Sequence, residues 1–164
     1  MSRSSKQKRI LSLDQASVKS GFAVFDGSDL LKWGLLAANK DDESGKRIIE
    51  MADKIEELVA KYNPDEVIFE GIQKQQSVQV VIVLARLQGC IIDICRKYHI
   101  SYSIYQPTTW RSNLQFQQGS AKRSELKRQA VEYVKNAYGL SIGEDVCEAI
   151  CIGLSHLRQI GTIK

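Results

Sequence analysis

Apolar positions come first in short runs and then at helical spacing. Ile10, Leu11 and Leu13 form a brief apolar run that Asp14 ends, and Gly21 to Phe25 form a returning one. This pattern predicts strands over about 9–14 and 20–26, joined by a polar turn from Gln15 to Ser20. Asp26-Gly27-Ser28-Asp29 is a turn signal, and Leu30 to Ala37, with Trp33 inside it, reads as a third strand of an antiparallel meander. Ile48, Ile49, Ala52, Ile55, Leu58, Val59 and Tyr62 then recur at the helical period over roughly 43–62, and Asn63-Pro64-Asp65 stops them. Val67 to Phe69 make a short buried strand ended by Glu70. Residues 77–98 are apolar around most of a helical circumference, and 101–106 alternate as a last strand broken by Pro107. Pro107 to Arg111 open a short helix, and 112–121 are polar, as in a mobile loop. A further helix covers about 121–137 and stops at Tyr138-Gly139. Ser141-x-x-Glu144 matches a capping box and places the start of a final helix there.

These elements predict an α/β fold: a mixed five-stranded sheet, three strands as an antiparallel meander and the others parallel, with helices on both faces. The whole of 1–164 reads as one domain, with 1–8 a loose basic arm. A helix apolar nearly all round must be covered nearly all round, so 77–98 predicts a homodimer through that helix. No run of about 18 apolar residues marks a membrane span, and no signal peptide is evident. Cys90, Cys95, Cys147 and Cys151 sit in apolar surroundings without a Cys-x-x-Cys pair, which predicts buried reduced thiols and a cytoplasmic setting. His99 and His156 lack metal-ligand spacing.

The net charge of +4 permits nucleic-acid binding without establishing it. Its distribution is more telling. Arg111, Lys122, Arg123, Lys127 and Arg128 form a basic group relieved by Glu125, and Lys74 lies in the polar loop behind Glu70. Four acids stand out against this background. Asp14 and Glu70 end strands with buried sequence patterns, where a carboxylate is costly unless compensated. Asp145 and Glu148 share a helix face one turn apart. Asp14 is open to a simpler reading as a turn residue, and Glu144 and Asp145 as acids favoured by a helix N-terminus. Glu148, set among Val146, Cys147, Ala149 and Ile150, is harder to dismiss. Clustered carboxylates cannot all stay ionised without cations, and hard oxygen donors select Mg2+ or Mn2+. Two such ions about 4 Å apart suit in-line phosphoryl chemistry, with basic residues nearby to hold a nucleic-acid backbone.

In this order the motifs resemble the RuvC-type Holliday junction resolvases of the RNase H-like superfamily, especially the small bacteriophage versions. Ile-Leu-Ser-Leu-Asp-Gln-Ala-Ser with Ser-Gly-Phe-Ala-Val-Phe (10–25) is similar to the first family motif, and Val-Ile-Phe-Glu (67–70) to the second. Gly-Ser-Ala-Lys-Arg-Ser-Glu-Leu (119–126) is similar to the basic third, and Asp-Val-Cys-Glu-Ala-Ile-Cys-Ile-Gly (145–153) to the fourth. The resemblance implies that Asp14, Glu70, Asp145 and Glu148 are the catalytic metal ligands, that Mg2+ is the cofactor with Mn2+ able to substitute, and that each site takes two ions. It implies DNA contacts at Arg111, Lys122, Arg123, Lys74 and Lys127, and a homodimer that makes paired nicks leaving 5′-phosphate and 3′-hydroxyl ends. Three departures stand out. Glu148 replaces the usual Asp, and Arg123 stands where the family has Lys. Gln73 occupies the position of an aromatic wedge, which implies relaxed sequence preference and action on three-way junctions and flaps. The competing readings are an RNase H-like nuclease acting on RNA or RNA–DNA hybrids, and a non-catalytic junction-binding dimer. An actin-like ATPase or sugar kinase, which shares the opening hairpin, needs two such domains.

Overall fold

A computed structural model describes residues 7–73 and 75–164. Most of the proposed basic arm, and Lys74, lie outside the described residues. β1 (Arg9–Asp14), β2 (Lys19–Asp26) and β3 (Asp29–Ala37) form the expected meander. They are followed by α1 (Ser44–Tyr62), β4 (Glu66–Glu70), α2 (Val78–Lys97), β5 (Ser101–Tyr105), α3 (Pro107–Asn113), α4 (Arg123–Tyr138) and α5 (Glu144–Gln159). The sheet order is β3-β2-β1-β4-β5, with β1–β2 and β2–β3 antiparallel and β1–β4 and β4–β5 parallel.

Strand alternation divides the core into two layers. Leu11, Leu13, Phe22, Val24, Val67 and Phe69 face one way and meet Ile48, Met51 and Ile55 of α1 and Leu87 and Ile91 of α2. Ile10, Ala23, Phe25 and Ile68 face the other way, toward Trp110 of α3, Ala130 and Val134 of α4, and α5. Asp14 and Glu70 keep step with Ile10 and Ile68, so both carboxylates emerge on the α5 side.

The most deeply buried helix is α5, not α2. Val146 through Leu157 are all buried, whereas α2 buries Leu87, Ile91, Ile94 and Cys95 alone. Small residues make this possible. Ser12 Oγ donates to the Ala149 carbonyl at 2.7 Å. A Cβ on Gly153 would fall 2.4 Å from the Phe25 ring. Within the protomer α2 stays partly uncovered, as expected of a helix whose second side needs a further partner: Val78 remains 72% exposed and Val80 43%. Among the described residues, α2 is long and apolar enough to cross a membrane by length and composition alone.

Two expectations change. The capping box at Ser141 does not form. Gly143 is the N-cap and supplies no side-chain bond, so α5 starts at Glu144. The polar loop before α4 is tied down rather than loose. The Gln129 side chain accepts from the Gln117 N–H and donates to the Gln117 carbonyl, at 2.8 and 2.9 Å. Phe116 packs edge-on against Trp110, ring centres 5.5 Å apart. The four cysteines are free thiols, with Cys90 less buried than the other three.

Candidate active site

The parallel register pairs Leu13 with Phe69, so the chain leaves the sheet at Asp14 and Glu70 side by side. On the other flank Asp14 pairs with Gly21. Gly21 is where α5 arrives: a Cβ there would lie 2.0 Å from the Asp145 carbonyl oxygen. The missing side chain lets the first turn of α5 sit directly on the strand end and carry Glu148 inward. Carboxylate oxygens of Asp14, Glu70 and Glu148 lie within 4.8 Å of one another. Asp145, the fourth expected member, is not part of that trio. It faces Lys127 instead, whose Nζ stands 3.8 Å from Asp145, 3.6 Å from Glu144 and 3.5 Å from Glu148.

Glu70 is held from three sides. Gln15 Nε2 donates to the Glu70 carbonyl at 2.6 Å, and Gln15 Oε1 accepts from the Glu70 N–H at 3.2 Å. This two-point clamp continues the β1–β4 ladder where backbone pairing ends. Gln88 of α2 also donates to the same carbonyl, at 2.8 Å. Trp110 Nε1 donates to Glu70 Oε2 at 2.9 Å.

The charge is under-compensated. Burial, and then the neighbouring Glu148, Glu70 and Asp145, push the Asp14 carboxyl well above its ordinary range. Burial raises Glu70 to about 7 even though the Trp110 hydrogen bond favours its ionised form. For Lys127, burial opposes the charge, but Glu148 and Asp145 outweigh it and the pKa rises. An oxygen-only, electron-rich trio that resists ionisation is a fit for divalent cations of the Mg2+ class.

The carboxylates open into a cleft of about 710 Å³ whose walls include Lys19, Arg111, Arg123, Gln73, Gln76 and Lys127. Arg111 is only 8% exposed, lies over the Trp110 ring at 5.1 Å, and has a buried Nε without a partner among the described residues. Thus Arg111, Arg123 and Lys127 reach the cleft, whereas Lys122 is an exposed N-cap residue outside its walls. Sequence reasoning missed Lys19, Gln15, Gln88 and the role of Trp110. A basic residue in the β1–β2 turn was the available signal for Lys19. The others act across 18 to 55 positions of sequence and leave no local pattern.

The family model described as "Crossover junction endodeoxyribonuclease RuvC" matches residues 10–156. Curated proteins of that name are similar to this chain. The one from Fusobacterium nucleatum is 22% identical over 94% of this chain and 82% of its own length. The one from Akkermansia muciniphila is 24% identical over 95% of this chain and 94% of its own length. These relatives are bacterial and lend no support to the bacteriophage version of the resemblance. Among solved structures, Thermus thermophilus RuvC in complex with Holliday junction substrate superposes with a TM-score of 0.75 at 15% identity, covering 96% of this chain and 98% of that one. The fowlpox virus resolvase with Holliday junction DNA gives 0.63 at 15% identity, covering 93% and 98%. With this fold and these motifs in order, the chain belongs to the RuvC family of crossover junction endodeoxyribonucleases and is a junction-resolving nuclease with an RNase H-like fold.

Proposed function

We propose that this endonuclease resolves four-way DNA junctions as a homodimer, each protomer cutting one strand at a Mg2+ centre built on Asp14, Glu70, Asp145 and Glu148, and that 1–164 acts as one nuclease domain. The observation that carries the reading is the convergence of three carboxylates from two strands and a helix at the floor of a basic cleft. Ions bound there supply activation of the attacking water and stabilisation of the leaving oxygen, and Mn2+ serves in place of Mg2+. The chain's own groups do the rest. Gln15, Gln88 and Trp110 fix Glu70, Arg111 and Arg123 hold the DNA backbone beside the carboxylates, and Lys19 extends that basic wall. Lys122, outside the cleft walls, and Lys74 contribute additional backbone contacts.

The dimer reading rests on α2. Its uncovered side carries Val78, Ile82, Ala85 and Gly89 at helical spacing, and a Cβ on Gly89 would meet nothing within 4 Å. This small, apolar stripe suits a second copy of α2. Val80 and Leu84 of the same helix line the cleft, so a dimer through α2 would bring its seam beside the carboxylates. A dimer supplies the two sites that paired nicks require. Gln73, at the cleft in place of an aromatic wedge, gives relaxed sequence preference and cleavage of three-way junctions and flaps. The free thiols fit a reducing, cytoplasmic setting.

The test offers the protein, with Mg2+, a panel of four-way, three-way, flap and RNA–DNA hybrid substrates. Paired nicks in branched DNA at many sequences is the expected result. Cutting confined to the hybrid would replace this reading with the RNA-directed one.

A further inference from the structure

The sequence groups Lys127 with the phosphate-binding cations, one helical turn beyond Arg123. Its place in the fold is different. Nζ lies 3.5, 3.6 and 3.8 Å from oxygens of Glu148, Glu144 and Asp145. None of these is a close hydrogen bond. The ammonium is shared among three carboxylates, much as a cation in a carboxylate cage, on a side chain only 19% exposed. Glu148 touches both Lys127 on one side and the Asp14–Glu70 pair on the other.

We propose that Lys127 is an internal counter-ion that holds the Asp145 side of the metal centre in the DNA-free protein, so that this side takes its ion only when Lys127 moves to a DNA phosphate. The inference rests on the two-ion reading above. A divalent ion between Asp145 and Glu148 would stand within a few ångströms of the ammonium, and like charges at that distance exclude one another. Glu148 is common to both sides, whereas Asp14 and Glu70 make no ion pair within 4 Å among the described residues, so the ammonium sits toward Asp145. Lys has a flexible four-carbon stem, and its neighbour Arg123 lines the same cleft, so a phosphate seated there is within the range of Nζ. The centre then completes itself only with substrate in place, and idle protein holds one ion per protomer.

The experiment titrates DNA-free protein with Mn2+, reading free Mn2+ by electron paramagnetic resonance, for wild type, Lys127→Met, Lys127→Gln and Asp14→Asn. Wild type binds one Mn2+ per protomer, with any second ion at least about tenfold weaker. Both Lys127 variants gain a second ion tightened by roughly tenfold or more, and Asp14→Asn loses the first. In parallel, metal-free binding to a four-way junction is followed against salt, and Lys127→Met lowers the slope of log affinity on log salt by about 1. Identical Mn2+ isotherms for wild type and both Lys127 variants, with the ion still lost in Asp14→Asn, would overturn this inference and leave the metal centre standing. Absence of Mn2+ binding by wild type would overturn both. An unchanged salt slope would overturn the transfer to phosphate.

Discussion

Gly21 carries no side chain because the backbone of Asp145 occupies the space. An added methyl group would have to push back the first turn of α5, and with it Glu148. Gly21→Ala therefore costs about 3 kcal/mol or more of stability, since the clash is with backbone rather than a movable side chain. Thermal melts check this, and nicking activity falls with them. Trp110 acts more gently. Its indole donates to Glu70, and Trp110→Phe keeps the ring while removing the donor. Glu70, already raised to about 7, then rises further, and Mn2+ affinity at neutral pH drops by roughly 10- to 100-fold, as is typical when an outer-shell partner is lost. Recovery of most of that affinity above pH 8 distinguishes this cause from misfolding. The carboxylates themselves were legible in the sequence, Asp14 and Glu70 as acids ending apolar runs and Glu148 as an acid inside one. Trp110, Gln15 and Gln88 were not, because each earns its role through a contact the chain makes only after folding.

At the scale of elements, hydropathy does not rank the two apolar helices by burial. α2 is the more apolar along its length, and it lies on the outer layer beside α1 with one side uncovered, in keeping with a helix whose second side needs a further partner. α5 carries three acids, a serine and a histidine within its span and is nonetheless the core helix. What decides burial is closeness of approach, set by Gly21, Ala149 and Gly153, and a hydropathy sum does not measure it. Strand order was better served, because a strand–helix–strand run forces β4 and β5 into parallel pairing and leaves the meander antiparallel. The uncovered side of α2 gives a direct prediction. Ile82→Glu places a charge in the proposed seam, and sedimentation should shift from dimer to monomer at micromolar concentration with the fold retained by circular dichroism. A wild type already monomeric there would remove the paired-nick account.

Across the whole molecule, the two ends of β4 and α5 respond to pH in opposite directions. At the far end from the cleft, Glu66 accepts from Lys8 at 2.6 Å and from Ser103 at 2.7 Å, and lies 3.1 Å from His156 Nε2. Tyr105 closes the group at 2.9 Å from His156 Nδ1. Burial alone would raise Glu66, but the Lys8 and Ser103 bonds outweigh it and hold its pKa below 4.5. Burial holds His156 below 6.5 despite Glu66. Both folded values are depressed, so their stabilisation is present at neutral pH and is lost as pH falls, first below 6.5 and then below 4.5. At the cleft the sign reverses. Glu70, and Asp14 beside it, are raised, so the metal-free protein is stabilised by their protons below about 4.5 and loses that contribution as pH rises through about 7. Glu70→Gln is accordingly more stable than wild type at pH 8 without metal, and the difference closes toward pH 4.5. Added Mg2+ narrows the gap at pH 8. Differential scanning calorimetry across that range reads both slopes.

The central claim is that the carboxylate trio cuts junction DNA, and nicking of a synthetic four-way junction in Mg2+ by wild type, Asp14→Asn and Glu70→Gln tests it most directly. Wild type should give symmetric paired nicks, and both variants should lose cleavage by well over the roughly 100-fold typical of an outer-shell loss while still binding the junction. Cleavage that survives both substitutions would place the chemistry elsewhere and contradict the account.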